Sequence, residues 1–361
     1  MKIAIVGAGN AGCITALHYY KYLSEEQIKN FEIEIYHSPL THPIEKVGQG
    51  TTLPIARLIC STLGIDWYNN QIGATFKTGI LYEGWGKKQE KIFHNFIVPD
   101  VAMHLVPHKF CQKVLDMKQF KVIEKNITDP ENEIDANVIF DCRGRHDRDN
   151  SKYVKLINPL NSVLLSKKTG RDNDLTYTRC VATPNGWTFV IPNLDSVSYG
   201  YLYNSDITTK SEATEDFLSR FNLDEIKDEL TFDNYRARNF FQGEKTFLQG
   251  NMYGFIEPLE ATSIGLYQFI CRQAWDVMFG NRTLEYCNEK VIENIKRIET
   301  VILWHYQYGS KYDTPFWQYA KSLPFNPDDE FYNMAYDKKT NLKEYGQWRK
   351  YNLNNWRLGV E

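Results

Sequence analysis

The opening twelve residues restrict the fold more than any other stretch. Ile3-Ala-Ile-Val6 is a continuous apolar run of strand length, Gly7-Ala-Gly-Asn-Ala-Gly12 follows at once, and Ile14, Leu17, His18 and Leu23 recur at roughly helical spacing. Strand, glycine turn and helix in that order begin a βαβ unit. Each glycine has a mechanical reason: Gly7 permits the tight turn, Gly9 lets the backbone approach a pyrophosphate, and Gly12 lets helix and strand pack closely. The helix N-terminus, from Asn10 and Ala11 onward, then faces the anion. Phe31 to Tyr36 alternates apolar and acidic residues as a second strand should. Where an acid usually holds the ribose, Tyr36-His-Ser-Pro39 offers His37, which can still hydrogen-bond a hydroxyl. Dinucleotide binding follows; a simple NAD site does not.

Further along, Thr75 to Tyr82 reads as one strand and Asn137 to Asp141 as a buried strand ending in Asp141-Cys-Arg-Gly144. Trp187 to Pro192 and Val197 to Asn204 read as two sheet strands separated by a turn. Helical patterns run from Ile264 to Phe279 and from Leu284 to Tyr306. There is no internal repeat, low-complexity tract or Pro/Gly/Ser linker. The elements that would contact a nucleotide extend from Gly7 to beyond Gly250, so residues 1–361 are expected to interleave cofactor and substrate layers in one domain. A short extension over approximately 323–361 is polar and Asn-rich, and its pattern assigns no firm structure.

Composition narrows the function. With 42 Lys plus Arg against 45 Asp plus Glu, the net charge of -3 offers no basic surplus for nucleic acid. Only Ile3 to Val6 is apolar before the glycine turn, too short for a signal core or membrane span, so a cytoplasmic protein with no membrane contact is expected. The seven cysteines are scattered and never spaced C-x-x-C, which reads as buried thiols, not disulfides or a metal site. Tyr and Trp crowd the C-terminal end, as packing or as a pocket for a planar molecule.

Four more segments occur in order: Ala74-Thr-Phe-Lys-Thr-Gly79, Gly186-Trp-Thr-Phe-Val-Ile-Pro192, Gly254-Phe-Ile-Glu-Pro-Leu-Glu-Ala-Thr-Ser263, and His305-Tyr306 followed by Asp313-Thr-Pro-Phe-Trp317. Together they resemble the flavin-dependent tryptophan halogenase family, from Met1 to about Trp317. The resemblance implies an α/β fold in which an FAD-binding, Rossmann-like unit is interleaved with a substrate-side β-sheet layer and C-terminal helices, as in flavin monooxygenases. It also implies a two-component enzyme that takes reduced FAD from a separate flavin reductase and uses oxygen and a halide ion to halogenate a small, electron-rich, indole-like aromatic. No second glycine-rich fingerprint for NADPH is present, which fits a borrowed reductant. A homodimer is compatible with this reading.

The same resemblance assigns residues. Lys77 would handle hypohalous acid as a haloamine or by hydrogen bonding, and its place in an apolar strand favours the neutral amine. Glu260 would stabilise the cationic intermediate and remove the ring proton; the bland alternative is a helix-start acid worth about 0.3 to 1 kcal/mol. Thr262 and Ser263 would bind halide, with Ser263 in place of the usual glycine. His94 and Phe96 would sandwich the aromatic ring. Trp187 and Phe189 occupy a Trp-x-Trp-x-Ile-Pro signature that separates flavin from substrate. Gly48-Gln-Gly-Thr51 stands for the flavin-covering loop, which Gly50 is expected to loosen. Gly48, Gly50 and Thr51, with Asn251 toward a ribityl hydroxyl and Ile264, complete the cofactor set. After Trp317 the chain is shorter than typical tryptophan halogenases, so free tryptophan does not follow as substrate. Two other readings stay open: an FAD-dependent aromatic monooxygenase, supported by Phe189 and Ser263, and a catalytically inactive flavin-binding relative, supported by the altered loop. Fold alone does not choose between them.

Overall fold

In the computed structural model, residues 1–39, 47–67, 69–96, 101–145, 151–170, 172, 175–336, 340–341 and 343–361 are described, and the glycine-turn unit lies mid-sheet. The strand Lys2–Val6 pairs in parallel with Glu32–His37 on one side and Val138–Asp141 on the other. Lys121–Glu124 and Thr246–Leu248 extend this sheet in parallel, and Phe241–Gln242 closes one edge antiparallel. Ile3, Ile5, Ile33, Ile35 and Phe140 are fully buried, because helices cover a parallel sheet and its inner strands become continuous apolar runs. The helix Asn10–Glu25 lies over this sheet and is backed by Thr262–Met278, with the Tyr19 hydroxyl donating to the Cys271 carbonyl at 2.8 Å.

A second, seven-stranded sheet runs in the order Asp228–Thr231, Ser162–Thr169, Ser196–Tyr203, Gly186–Pro192, Thr178–Thr183, Gly79–Glu83 and Lys91–Asn95. All its pairings are antiparallel except Thr178–Thr183 with Gly79–Glu83. Leu164, Val190, Tyr199 and Tyr201 on one face pack under Ala213 and Phe217 of the helix Lys210–Phe221. The other face, with Leu165, Cys180, Ala182, Trp187 and Phe189, shares one core with the first sheet and with Leu284–Gln307.

The strand read over Thr75 to Tyr82 is two strands in two sheets. Thr75–Lys77 joins Gln49–Gly50 and Ala102–Leu105 in a three-stranded sheet, whereas Gly79–Glu83 enters the seven-stranded one. Thr78 is the joint: its amide donates to Thr176 O and its carbonyl accepts from Phe96 N, both at 2.8 Å. Side-chain alternation does not register a change of hydrogen-bonding partner. The described residues after Leu323 form the helix Asp329–Tyr336, a hairpin of Glu344–Tyr345 and Trp348–Arg349, and the helix Lys350–Val360. Tyr345, Trp348, Leu353, Trp356 and Val360 bury this stretch, so the C-terminal aromatics are packing residues. All seven cysteines are free, with Cys60 and Cys142 only half-buried where buried thiols were expected. Among the described residues no helix is long and apolar enough to cross a membrane.

Candidate functional site

The glycine turn has the shape an anion cradle requires. Gly7 has φ +113, a conformation that disfavours a side chain. A Cβ on Gly12 would lie 1.9 Å from the Gly7 carbonyl oxygen, whereas one on Gly9 would meet nothing within 4 Å. Close packing at one glycine and open space at the other leave the first amides of Asn10–Glu25 without a side-chain cap. Gly250, at φ +61, approaches so closely that its Cβ would lie 2.5 Å from the Ala11 Cβ. The Asn10 side-chain amide donates to Gln49 Oε1 at 2.5 Å, tying the turn to the loop before Thr51. His37 ends its strand with Nδ1 2.9 Å from the Ser38 carbonyl, so that nitrogen carries the hydrogen. Asn251 is exposed and Ile264 buried at the start of its helix.

Lys77 is 3% exposed at the end of its short strand. Its Nζ donates to the Thr51 carbonyl at 3.2 Å and stands 5.7 Å from the centre of the Phe96 ring. Burial lowers its pKa to about 8, against the opposing pull of Glu260. Gly50 is not a loosened loop residue: it sits in a strand paired with His104, and its missing side chain leaves room for Lys77. Behind the lysine runs a buried chain. The Thr75 hydroxyl donates to the Pro192 carbonyl at 2.8 Å, so it accepts from His104 Nδ1 at 3.2 Å, while His104 Nε2 accepts from Thr178 Oγ1 at 2.9 Å. Burial, then the charge of Lys77, hold His104 well below the ordinary histidine pKa.

Glu260 and Ala261 both adopt positive φ, at 67 and 57, a left-handed pair that non-glycine residues disfavour. The following helix has no side-chain cap, so Glu260 does not cap it, and its carboxylate is engaged by groups of other elements. Its Oε1 accepts from the Tyr82 hydroxyl and faces His94 Nδ1 at 3.6 Å and His305 Nε2 at 3.8 Å. Burial opposes ionisation here, but His305 and His94 outweigh it and hold the carboxyl well below the usual range. His94 Nε2 contacts the Asn352 side-chain amide on the C-terminal helix, and Gln347 Nε2 donates to the Glu260 carbonyl at 3.2 Å.

Glu257 behaves differently. It is fully buried, and burial raises its pKa to about 8. The Tyr306 hydroxyl donates to its Oε1 at 2.7 Å, and Trp187 Nε1 donates to that hydroxyl at 2.9 Å. Trp187 is therefore tied to the loop of Glu257, and Phe189 lies flat on Gly200, where a Cβ would meet its ring at 2.1 Å. The Thr262 hydroxyl donates to Glu257 O at 3.2 Å and the Ser263 hydroxyl to Ile256 O at 3.3 Å. Both hydroxyls are thus engaged with carbonyls, and only the helix amides are left to meet an anion.

The structure brings Lys77, Gly50, Thr51 and Phe96 together, and Glu260 together with His94. Tyr82, His305, Asn352 and Trp356 were not expected at the site. Strand parity sets Tyr82 opposite Lys77 and could not have found it, because the two lie in separate strands, whereas Leu353, Trp356 and Val360 could have been found from their helical spacing. A separate groove of about 360 Å³, lined by Lys168, Arg179, Tyr199 and Arg220 among others, holds none of the expected residues. Among the described residues no His/Cys/Asp/Glu group could hold a metal ion.

Fold and site define an α/β flavoprotein architecture with a buried lysine and carboxylate on the sheet side. The chain belongs to the tryptophan halogenase family, whose model matches residues 2–129 and 113–358. It is 27% identical over 176 residues to tryptophan 7-halogenase RebH of Lentzea aerocolonigenes, covering 45% of this chain and 33% of that protein. It is 27% identical over 153 residues to tryptophan 6-halogenase ThaL of Streptomyces albogriseolus, covering 41% and 29%. Matches thus span about a third of these curated relatives. Among solved structures, BrvH, a flavin-dependent halogenase from Brevundimonas sp. BAL3, superposes with TM-score 0.81 at 18% identity, over 99% of this chain and 89% of that one. Xcc4156, a flavin-dependent halogenase from Xanthomonas campestris, gives 0.82 at 19% identity, over 100% and 88%.

Proposed function

We propose that this protein is a flavin-dependent halogenase acting on an electron-rich aromatic substrate, with Lys77 and Glu260 as its catalytic residues. The observation that carries the reading is a buried amine, lowered to about 8, within electrostatic reach of a buried carboxylate held ionised by its neighbours. The turn at Gly7, Gly9 and Gly12 fits the pyrophosphate of FAD, with Asn10, Ala11, His37, Gly48, Gly50, Thr51, Asn251 and Ile264 around the rest. Reduced FAD, supplied by a separate reductase, provides with oxygen the two-electron oxidation that turns halide into hypohalous acid.

The protein's residues then act on that acid. Thr262 and Ser263 hold the halide through backbone amides at the helix start, where the positive end of the helix favours an anion. Lys77 as ammonium hydrogen-bonds the hypohalous oxygen; as amine it can carry the halogen. In the ammonium case the ring carbon attacks the halogen, Lys77 protonates the departing hydroxide to water, and Glu260 accepts the ring proton. Phe96 and His94 face the ring, while Trp187 and Phe189 keep the cofactor side apart from the substrate side.

The test is an intact-mass screen of indoles, phenols and peptides with FAD, a flavin reductase, NADH, oxygen, and chloride, bromide or iodide in turn. A halide-dependent mass gain supports the reading, and Lys77→Ala should abolish it while flavin oxidation continues as peroxide release. An oxygen-only gain would make the protein an aromatic monooxygenase. Loss of FAD affinity in both redox states would make it a non-catalytic relative.

A further inference from the structure

His305 sits on Leu284–Gln307, 2% exposed, behind the carboxylate of Glu260. Its Nδ1 is 2.6 Å from the Val301 carbonyl, which only accepts, so the ring hydrogen lies on Nδ1 and a neutral ring turns its Nε2 lone pair toward Glu260 Oε1. His94 meets the same oxygen with the opposite polarity. The Asn352 amide is oriented by Arg349 N donating to its Oδ1 at 3.0 Å, so its nitrogen faces His94 Nε2 and the ring hydrogen on His94 Nδ1 is turned toward Glu260 Oε1, 3.6 Å away. Tyr82 and His94 are therefore hydrogen donors turned toward the carboxylate throughout, whereas His305 donates to Glu260 and helps hold it ionised only when its Nε2 carries a proton. The His305 ring lies 4.3 Å from Trp356 at 35° and 5.5 Å from Tyr82 at 32°, aromatic faces that favour a cation between them.

We propose that His305 is the proton acceptor behind Glu260, a positioning role that rests on the halogenase reading. Glu260 takes the ring proton while the C–H electron pair returns to the aromatic ring. The carboxylic acid so formed gives that proton to His305 Nε2, which regenerates the carboxylate and leaves an imidazolium between Trp356 and Tyr82. The imidazolium releases its proton to solvent before the next turnover.

The test compares the full-length parent with His305→Gln, using indole and ring-deuterated indole in the halide assay. In the variant, product formation over many turnovers should fall by roughly 10² to 10⁴, while the first turnover keeps the parent rate and ring deuteration leaves both rates unchanged, because loss of the proton from Glu260 becomes the slow step after the C–H bond is already broken. Unchanged turnover, a first turnover slowed as much as the later ones, or a substrate isotope effect in the variant would overturn the relay. His305→Asn is the second variant, read the same way if the first does not fold. A parent that halogenates none of the indoles, phenols and peptides of the mass screen fails the halogenase reading instead, so the two failures are distinct.

Discussion

A Cβ built on Gly50 would stand 3.1 Å from Lys77 Nζ, so this glycine and this lysine pack as a pair on either side of the strand Ala102–Leu105. Gly50→Ala brings no backbone strain, since its φ is not positive, and it narrows unfolded-state freedom by about 0.4 to 1 kcal/mol in favour of folding. The ammonium must yield by a few tenths of an ångström. Folding stability should change by less than about 1 kcal/mol while halide-dependent product formation falls roughly tenfold, because small misplacements of a reacting group are costly. Urea midpoints and product rates measure the two effects separately.

Lys77→Met should stabilise the protein at neutral pH. The folded pKa of about 8 lies below the ordinary 10.5, so between those values the unfolded chain holds a proton that the folded one lacks, and parent stability rises with pH. Below about pH 8 the full cost of the buried ammonium applies, on the order of 3 kcal/mol. The advantage of Lys77→Met should be largest near pH 7 and shrink toward pH 10.5, as read from urea midpoints across that range.

Glu257→Gln should shift stability with the opposite slope. The parent carboxyl titrates at about 8 when folded and near 4.5 when unfolded, so the folded state holds the extra proton and the parent loses stability as pH rises through that window. An amide can still accept from Tyr306 and has nothing to titrate. The difference in thermal midpoint, variant minus parent, should increase steadily from pH 4.5 to about 8. A flat difference would mean that Glu257 is ionised in the fold at all these pH values.

Trp356→Ala tests the closing helix. The indole is 2% exposed and lies 4.7 Å from the Tyr82 ring and 5.9 Å from Trp85. Its removal should cost about 3 to 5 kcal/mol, the range for deleting a buried aromatic. Loss of only a few tenths in a urea titration would show that Lys350–Val360 contributes little to the fold.

Much of this molecule was legible before any coordinates. Gly7, Gly9 and Gly12 have the conformation, open space and close packing that their spacing requires, because a turn between adjacent elements is dictated locally. The strands ending at Asp141 and Pro192 and the helices starting near Ile264 and Leu284 were readable for the same reason. The change of sheet at Thr78 was not, because residue order does not report which strand a backbone amide or carbonyl pairs with. Nor was the order of the Asn-rich C-terminal stretch, where a few buried aromatics outweigh many polar residues.

The sequence by itself determined the dinucleotide turn, the α/β class and, through the order of its motifs, the family. Only the tertiary structure decided which atoms share Glu260 Oε1. Tyr82, His94 and His305 come from three separate elements, and Asn352 reaches His94 from 258 positions away. Periodicity reports which face of an element is buried, whereas the protonation of a buried carboxylate depends on donors delivered by whichever elements pack around it.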